Sequence, residues 1–103
     1  MAAVKNYAGA LYHVSKRLQD DEAVVLAAVR GDGYELRWAS ERLRGHVGVV
    51  MAAVQNDGLA LEHVSERLRD DNTVVSAAVG SNSKAVVHAS QRLRDERDSV
   101  GDL

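Results

Sequence analysis

Apolar residues along this chain return with a period of 25. Ala-Ala-Val begins at Ala2, Ala27, Ala52 and Ala77, and Ser-x-Arg-Leu begins at Ser15, Ser40, Ser65 and Ser90, with no gap between copies. A fixed period of this length marks tandem structural units, each of which hides its apolar face only by lying against the next. Within one unit Leu36, Ala39, Ser40 and Leu43 stand at i, i+3, i+4 and i+7, one face of a helix, and Leu11, Leu61 and Val86 start the same stripe elsewhere. The other half of the unit, Val24 to Val29, is apolar all round, as suits an element covered on both sides. A short buried strand in a leucine-rich-repeat-like array also fits that run. The paired alanines favour helix, and the leucine spacing of that repeat class is missing.

Turn chemistry divides each unit into two helices. Asn6, Gly31, Asn56 and Ser81 sit where a left-handed C-terminal cap is expected, followed by Asp32, Asp57 or Asn82 as N-cap of the next helix. Asp32 and Glu35 have capping-box spacing, and Asp20, Asp70 and Asp95 stand where the returning helix needs an N-cap. So short a link makes the two helices antiparallel. The sequence thus predicts an all-α fold, residues 1–103 as one solenoid domain of either hand, with helix-pair repeats at 1–25, 26–50, 51–75 and 76–100. The first unit keeps only the end of its leading helix, Met1 to Lys5, and neither end reads as a polar capping unit. Exposed end faces therefore suit pairing with a second copy.

The stretch from Val49 to Asp71 carries Val-Val-x-Ala-Ala-Val followed by Asn-Asp-Gly-x-Ala-Leu-x-x-Val-Ser-x-x-Leu-Arg-Asp-Asp. This pattern resembles the helical repeat family known as domain of unknown function 4116, and the resemblance extends over essentially the whole chain. It implies a tandem helical array and carries over no activity, ligand or catalytic residue. Departures concentrate at Gly45-His46-Val47-Gly48, in place of the Asp-Asp junction, and at Ser81-Asn82-Ser83-Lys84, in place of Asn-Asp-Gly-Leu.

Composition narrows the function. With no Cys, no Phe, no Pro and one Trp, the interior must be built from Val, Ala and Leu, and thiolate metal sites and disulfides are excluded. That usage fits a cytoplasmic setting; no signal peptide or membrane anchor is read at the N-terminus. A net charge of −2 gives no overall attraction to nucleic acid or anionic membrane. The third unit is the acidic one, with Asp57, Glu62, Glu66, Asp70 and Asp71 against Arg67 and Arg69.

Each recurring polar residue has a structural use. Arg17, Arg42, Arg67 and Arg92, with Arg44, Arg69 and Arg94, fall in the last turn of the second helix, where positive charge suits the helix end and acids follow. The same edge could hold phosphate, which motivates a nucleic-acid-binding alternative; binding that vanishes with salt and on Arg42→Glu plus Arg44→Glu would support it. In the second unit Gly45 and His46 remove the acids. An anionic partner would therefore bind beside Arg37, Arg42 and Arg44. His13, His63 and His88 share one position with Trp38; equivalent positions on successive units are too far apart to share a metal ion. Ser15, Ser40, Ser65 and Ser90 lie two residues on, where a small residue allows close approach and its hydroxyl can bond the carbonyl four residues back. A serine nucleophile would need a distinctive site rather than a repeated pair.

The most distinctive cluster is Tyr34, Arg37 and Trp38, residue types that dominate binding hot spots. Trp38 is either a packing filler or an anchor, and exposure of more than about half its surface would mark an interface. The sequence therefore predicts a non-catalytic, cofactor-free protein-interaction or scaffold module. Its candidate patch is Tyr34, Arg37, Trp38, Arg42, Arg44 and His46, contacting a protein partner or a second copy.

Overall fold

A computed structural model describes residues 10–101, and among them every regular element is helical. Three α-helices of ten residues, α2 (Glu22–Gly31), α4 (Val47–Asn56) and α6 (Asn72–Ser81), carry the valine and alanine runs. Each is followed by a six-residue 3₁₀ segment: η2 (Gly33–Trp38), η3 (Gly58–His63) and η4 (Ser83–His88). Next comes a single α turn, α3 (Glu41–Arg44) after η2 and α5 (Glu66–Arg69) after η3. The order begins with η1 (Ala10–His13) and α1 (Lys16–Gln19) and closes with α7 (Gln91–Gly101), where the α turn continues as one longer helix. Met1 to Lys5 and the expected cap at Asn6 lie outside the described residues.

The ten-residue helices pack side by side, α4 between α2 and α6, and the 3₁₀ segments form a second row with η3 between η2 and η4. The core lies between the rows. It takes Val25 and Val29 from α2, Val49, Val50 and Val54 from α4, Val74 and Val75 from α6, Leu36 and Leu61 from the 3₁₀ segments, and Leu43, Leu68 and Leu93 from α3, α5 and α7. The apolar run is therefore helix rather than strand.

The second helix of the expected pair is broken in two. Leu36, Ala39 and Leu43 are all buried as the stripe requires, but Ala39 and Ser40 have extended backbone, with ψ near 158°. Two interactions favour the break. The Ser40 hydroxyl accepts from the amide of Leu43 at 3.3 Å, an N-cap rather than a bond to the carbonyl four residues back. The freed Ser40 amide donates to the carbonyl of Gln19 at 2.9 Å, and Ser65 and Ser90 donate likewise to Arg44 and Arg69 at 3.0 and 2.9 Å. A continuous helix would spend those amides internally.

Other caps shift by a residue from expectation. Asp32, Asp57 and Asn82 cap the 3₁₀ segments as anticipated, by accepting from Tyr34, Leu59 and Lys84. No left-handed residue precedes them: Gly31, Asn56 and Ser81 end their helices and the chain turns through extended backbone, φ −148° to −152°. The N-caps of the long helices are Asp21, His46 and Asp71, not Asp20 and Asp70, which close the α turns, and Asp95 lies inside α7. Glu35 forms no capping box, because the Asp32 amide is already given to the carbonyl of Ala28.

Gly33 and Gly58 are required by contact. A Cβ on Gly33 would sit 2.1 Å from the carbonyl oxygen of Ala53, and one on Gly58 the same distance from that of Ala78. The amides beside this contact are also tied across, Gly33 to Asn56 Oδ1 at 2.6 Å and Gly58 to Ser81 Oγ at 3.2 Å.

Glu35 is a buried carboxyl group, 3% exposed, on a stretch where the corresponding residues of the next two segments are the buried Ala60 and Ala85. Loss of hydration, then the nearby Asp32 carboxylate, raises its pKa, opposed by Arg37, the Leu11 amide and His13. Native protein therefore holds this proton more tightly than unfolded chain does. The associated stability is complete below the ordinary value of 4.5 and is lost as pH rises through the raised folded value.

Three measurements check this account. Leu43→Ala and Leu68→Ala each remove a core leucine and should cost about 2–5 kcal/mol in urea unfolding; a loss under about 1 kcal/mol would place them outside the core. Gly58→Ala should prevent cooperative folding, whereas Ser83→Ala, at the matching exposed position, should change stability by less than about 0.5 kcal/mol. Glu35→Gln should flatten the pH dependence, so that the mutant gains on the parent as pH climbs above 4.5. Parallel unfolding curves across that range would remove Glu35 as the cause.

Candidate functional site

The arginine edge is built at the junctions between successive units. Arg42 reaches back to Asp20, its Nε donating to Oδ1 at 2.9 Å and its Nη2 to the backbone carbonyl at 2.6 Å. The Ser40 hydroxyl donates to the same Oδ1 at 2.6 Å. Asp70, Ser90 and Arg92 repeat the arrangement, with the hydroxyl at 2.6 Å and Nε at 3.0 Å. In both cases the serine hydrogen bond, then the arginine, holds the carboxyl below the usual range. Among the described residues Arg67 makes only the carbonyl contact, to Gly45 at 2.9 Å. These guanidinium groups serve as latches to the preceding unit, and the serines as caps.

His46 replaces the aspartate that starts a long helix. Its Nδ1 accepts from the Val49 amide at 3.3 Å, and Nε2 lies 3.3 Å from Glu22 Oε1. A neutral ring with the proton on Nε2 satisfies both contacts.

The 3₁₀ row carries an aromatic strip. Trp38 packs edge-on to Tyr12, ring centres 4.6 Å apart, and Tyr34 edge-on to His63 at 4.8 Å. The Arg37 guanidinium lies 5.1 Å from the centre of Tyr34 and 5.0 Å from that of Trp38. The Tyr34 hydroxyl donates to Glu62, which raises the phenol's pKa and lowers the carboxyl's. Burial holds His63 below the usual imidazole value, against the raising effect of Glu62; Arg37, Arg44 and His88 lower it further.

Of the six predicted patch residues, Tyr34, Arg37 and Trp38 come together, and Arg44 approaches His63 with them. Arg44 also lines a concavity of about 260 Å³ with Glu41, Glu62, His63, Glu66 and Arg69. Arg42 and His46 are instead tied to Asp20 and Glu22. Trp38 is partly buried against the core, which assigns it to packing rather than to the exposed anchor. Among the described residues the exposed aromatic is Tyr12, at 55%, which the sequence reading missed. Its signal was variability: that position holds Tyr12, Arg37, Glu62 and Val87 in successive units, while the position before it keeps Leu11, Leu36, Leu61 and Val86.

Among the described residues no helix is long and apolar enough to cross a membrane. Neither the curated proteins nor the solved structures give a match to this chain. The family described as Domain of unknown function (DUF4116) matches residues 1–44 and 48–94, and the break between the two segments falls on Gly45, His46 and Val47, the divergent junction. With that match extending over most of its length, the chain belongs to the DUF4116 family.

Proposed function

We propose that this protein is a non-catalytic interaction module, a short α-solenoid of four 25-residue units whose 3₁₀ face docks another protein in the cytoplasm. Support for stacking comes from the row of α2, α4 and α6 and the matching row of 3₁₀ segments. The dimensions, 50 × 21 × 17 Å, agree with a stack that grows in one direction.

The observation that carries the binding role is Tyr12, more than half exposed and braced against Trp38, with the Arg37 cation above Tyr34 and Trp38. Rigid aromatic surface beside an arginine supplies contact area at little conformational cost, which is why these residues dominate interface energetics. Val87, 61% exposed at the corresponding place on η4, adds apolar surface to the same row. Nucleic-acid binding draws less support, since Arg42 and Arg92 are already paired with Asp20 and Asp70. Catalysis draws less as well, because the Ser40 and Ser90 hydroxyls are engaged in capping and carboxylate bonds.

A photo-reactive phenylalanine analogue placed at Tyr12 in the native host should yield a protein adduct, and the same probe at Arg30 on a long helix should not. An adduct of twice the chain mass would identify a second copy as the partner. Tyr12→Ala with Arg37→Ala, probed from Val87, should reduce capture by about tenfold or more. Adducts from Arg30 alone, or capture indifferent to the double substitution, would overturn this function.

A further inference from the structure

The junction between the second and third units keeps the carboxylate-holding geometry of its neighbours while its sequence supplies no carboxylate. Gly45 has φ −110° and ψ 11°, against −106° and 12° for Asp20 and −101° and 10° for Asp70. Arg67 Nη2 donates to the Gly45 carbonyl at 2.9 Å, as Arg42 and Arg92 donate to those of Asp20 and Asp70 at 2.6 and 3.0 Å. That bond fixes the guanidinium where its neighbours hold a carboxylate oxygen on Nε. Ser65 has the extended backbone of Ser40, and its amide makes the same bond to the preceding unit.

What differs is the use of the side chains. The Ser65 hydroxyl is buried and, among the described residues, has no hydrogen-bond partner. It caps nothing, and the Leu68 amide bonds the Ser65 carbonyl instead. The hydroxyl lies instead 3.1 Å from where a Cβ on Gly45 would stand, whereas the hydroxyls of Ser15, Ser40 and Ser90 occupy the cap position, which a serine side chain can reach by rotation about χ1.

We propose that this junction binds a carboxylate from outside the chain, with Arg67 Nε and Ser65 Oγ donating to one of its oxygens as their counterparts do to Asp20 and Asp70. The chain thus contains two filled copies of the site as templates, each with a hydroxyl at 2.6 Å and Nε at 2.9 or 3.0 Å from a single oxygen. Local charge selects the ligand. Ser65 also lines the adjoining concavity, where Glu41, Glu62 and Glu66 accompany Arg44 and Arg69. These acids disfavour a phosphate dianion about twice as strongly as a singly charged carboxylate. The carboxylate can belong to an acidic side chain of a bound protein or to a small free acid. Tyr12, Arg37 and Trp38 take no part, so the site stands or falls separately from the aromatic strip.

The test follows the arginine Nε–H signals in ¹⁵N-labelled full chain. One arm adds sodium acetate and the other a terminally blocked tetraglutamate peptide, both at constant ionic strength. Arg67 should show a saturable shift at least about threefold larger than Arg42 and Arg92, whose Nε groups are already bonded. Gly45→Asp, which supplies the carboxylate from within, should abolish the response, bring the Arg67 signal towards that of Arg92, and raise the melting temperature. Ser65→Ala should weaken the response in either arm. Equal saturation by acetate and by peptide, per carboxylate, supports a free acid as ligand, and tighter saturation by peptide supports a protein side chain. Drift shared by all three arginines, or a response surviving Gly45→Asp, overturns the proposal. Should Gly45→Asp fail to fold, an undiminished response in Ser65→Ala overturns it equally.

Discussion

The structure depends on one backbone hydrogen bond made three times: the amide of Ser40, Ser65 or Ser90 donating to a carbonyl of the preceding unit. That amide is available only because the chain leaves helical geometry at Ala39, Val64 and Ala89. Burial of the apolar face drives the units together without fixing their relative positions, since it has no direction. The amide bond fixes them. Once it forms, Leu36 and Leu43 can enter the same core from two segments of different pitch, and Arg42 lies where it reaches Asp20.

A second constraint acts at the opposite end of the 3₁₀ segments, where Gly33 and Gly58 meet the carbonyls of Ala53 and Ala78. Main chain there approaches main chain with no side chain between. The registration of the two rows comes from backbone and short polar side chains, while the apolar interior supplies most of the stabilising burial. Small residues at Ala28, Ala53 and Ala78 are consistent with that division, because a larger side chain on the inner face would hold the rows apart.

Much of this was legible because a 25-residue period exposes which positions are constant. The helical character of the valine and alanine run, the core leucines and the caps at Asp32, Asp57 and Asn82 all follow from local pattern. The break at Ala39 and Ser40 did not, because positions spaced for one helical face also suit a 3₁₀ segment followed by an α turn. What separates the two is a hydrogen bond to Gln19, some twenty residues away, and local spacing carries no trace of it. Asp20 was misplaced for the same reason: its partners Ser40 and Arg42 belong to the next unit. In the patch, Tyr34, Arg37 and Trp38 were found from residue type, whereas Tyr12 required knowing that η1 lies against η2.

Comparison of the sequence repeats also separates residues held by a packing contact from residues free to vary. Glycine is found at position 33 and at position 58, where the long helix of the following unit presses on the backbone, and Ser83 stands at the equivalent place on η4, exposed. The geometry that excludes a Cβ at Gly58 would equally exclude one at Ser83 if another long helix stacked there in the same way. In the same unit the α turn after η4 does not stop after four residues, and α7 runs from Gln91 to Gly101 through Asp95. Arg97 on this helix reaches back to Ser76 on α6 at 3.1 Å. Two departures from the repeating pattern thus fall in the last unit, an exposed serine where its counterparts are glycines packed on a carbonyl, and a continued helix tied to α6 through Arg97.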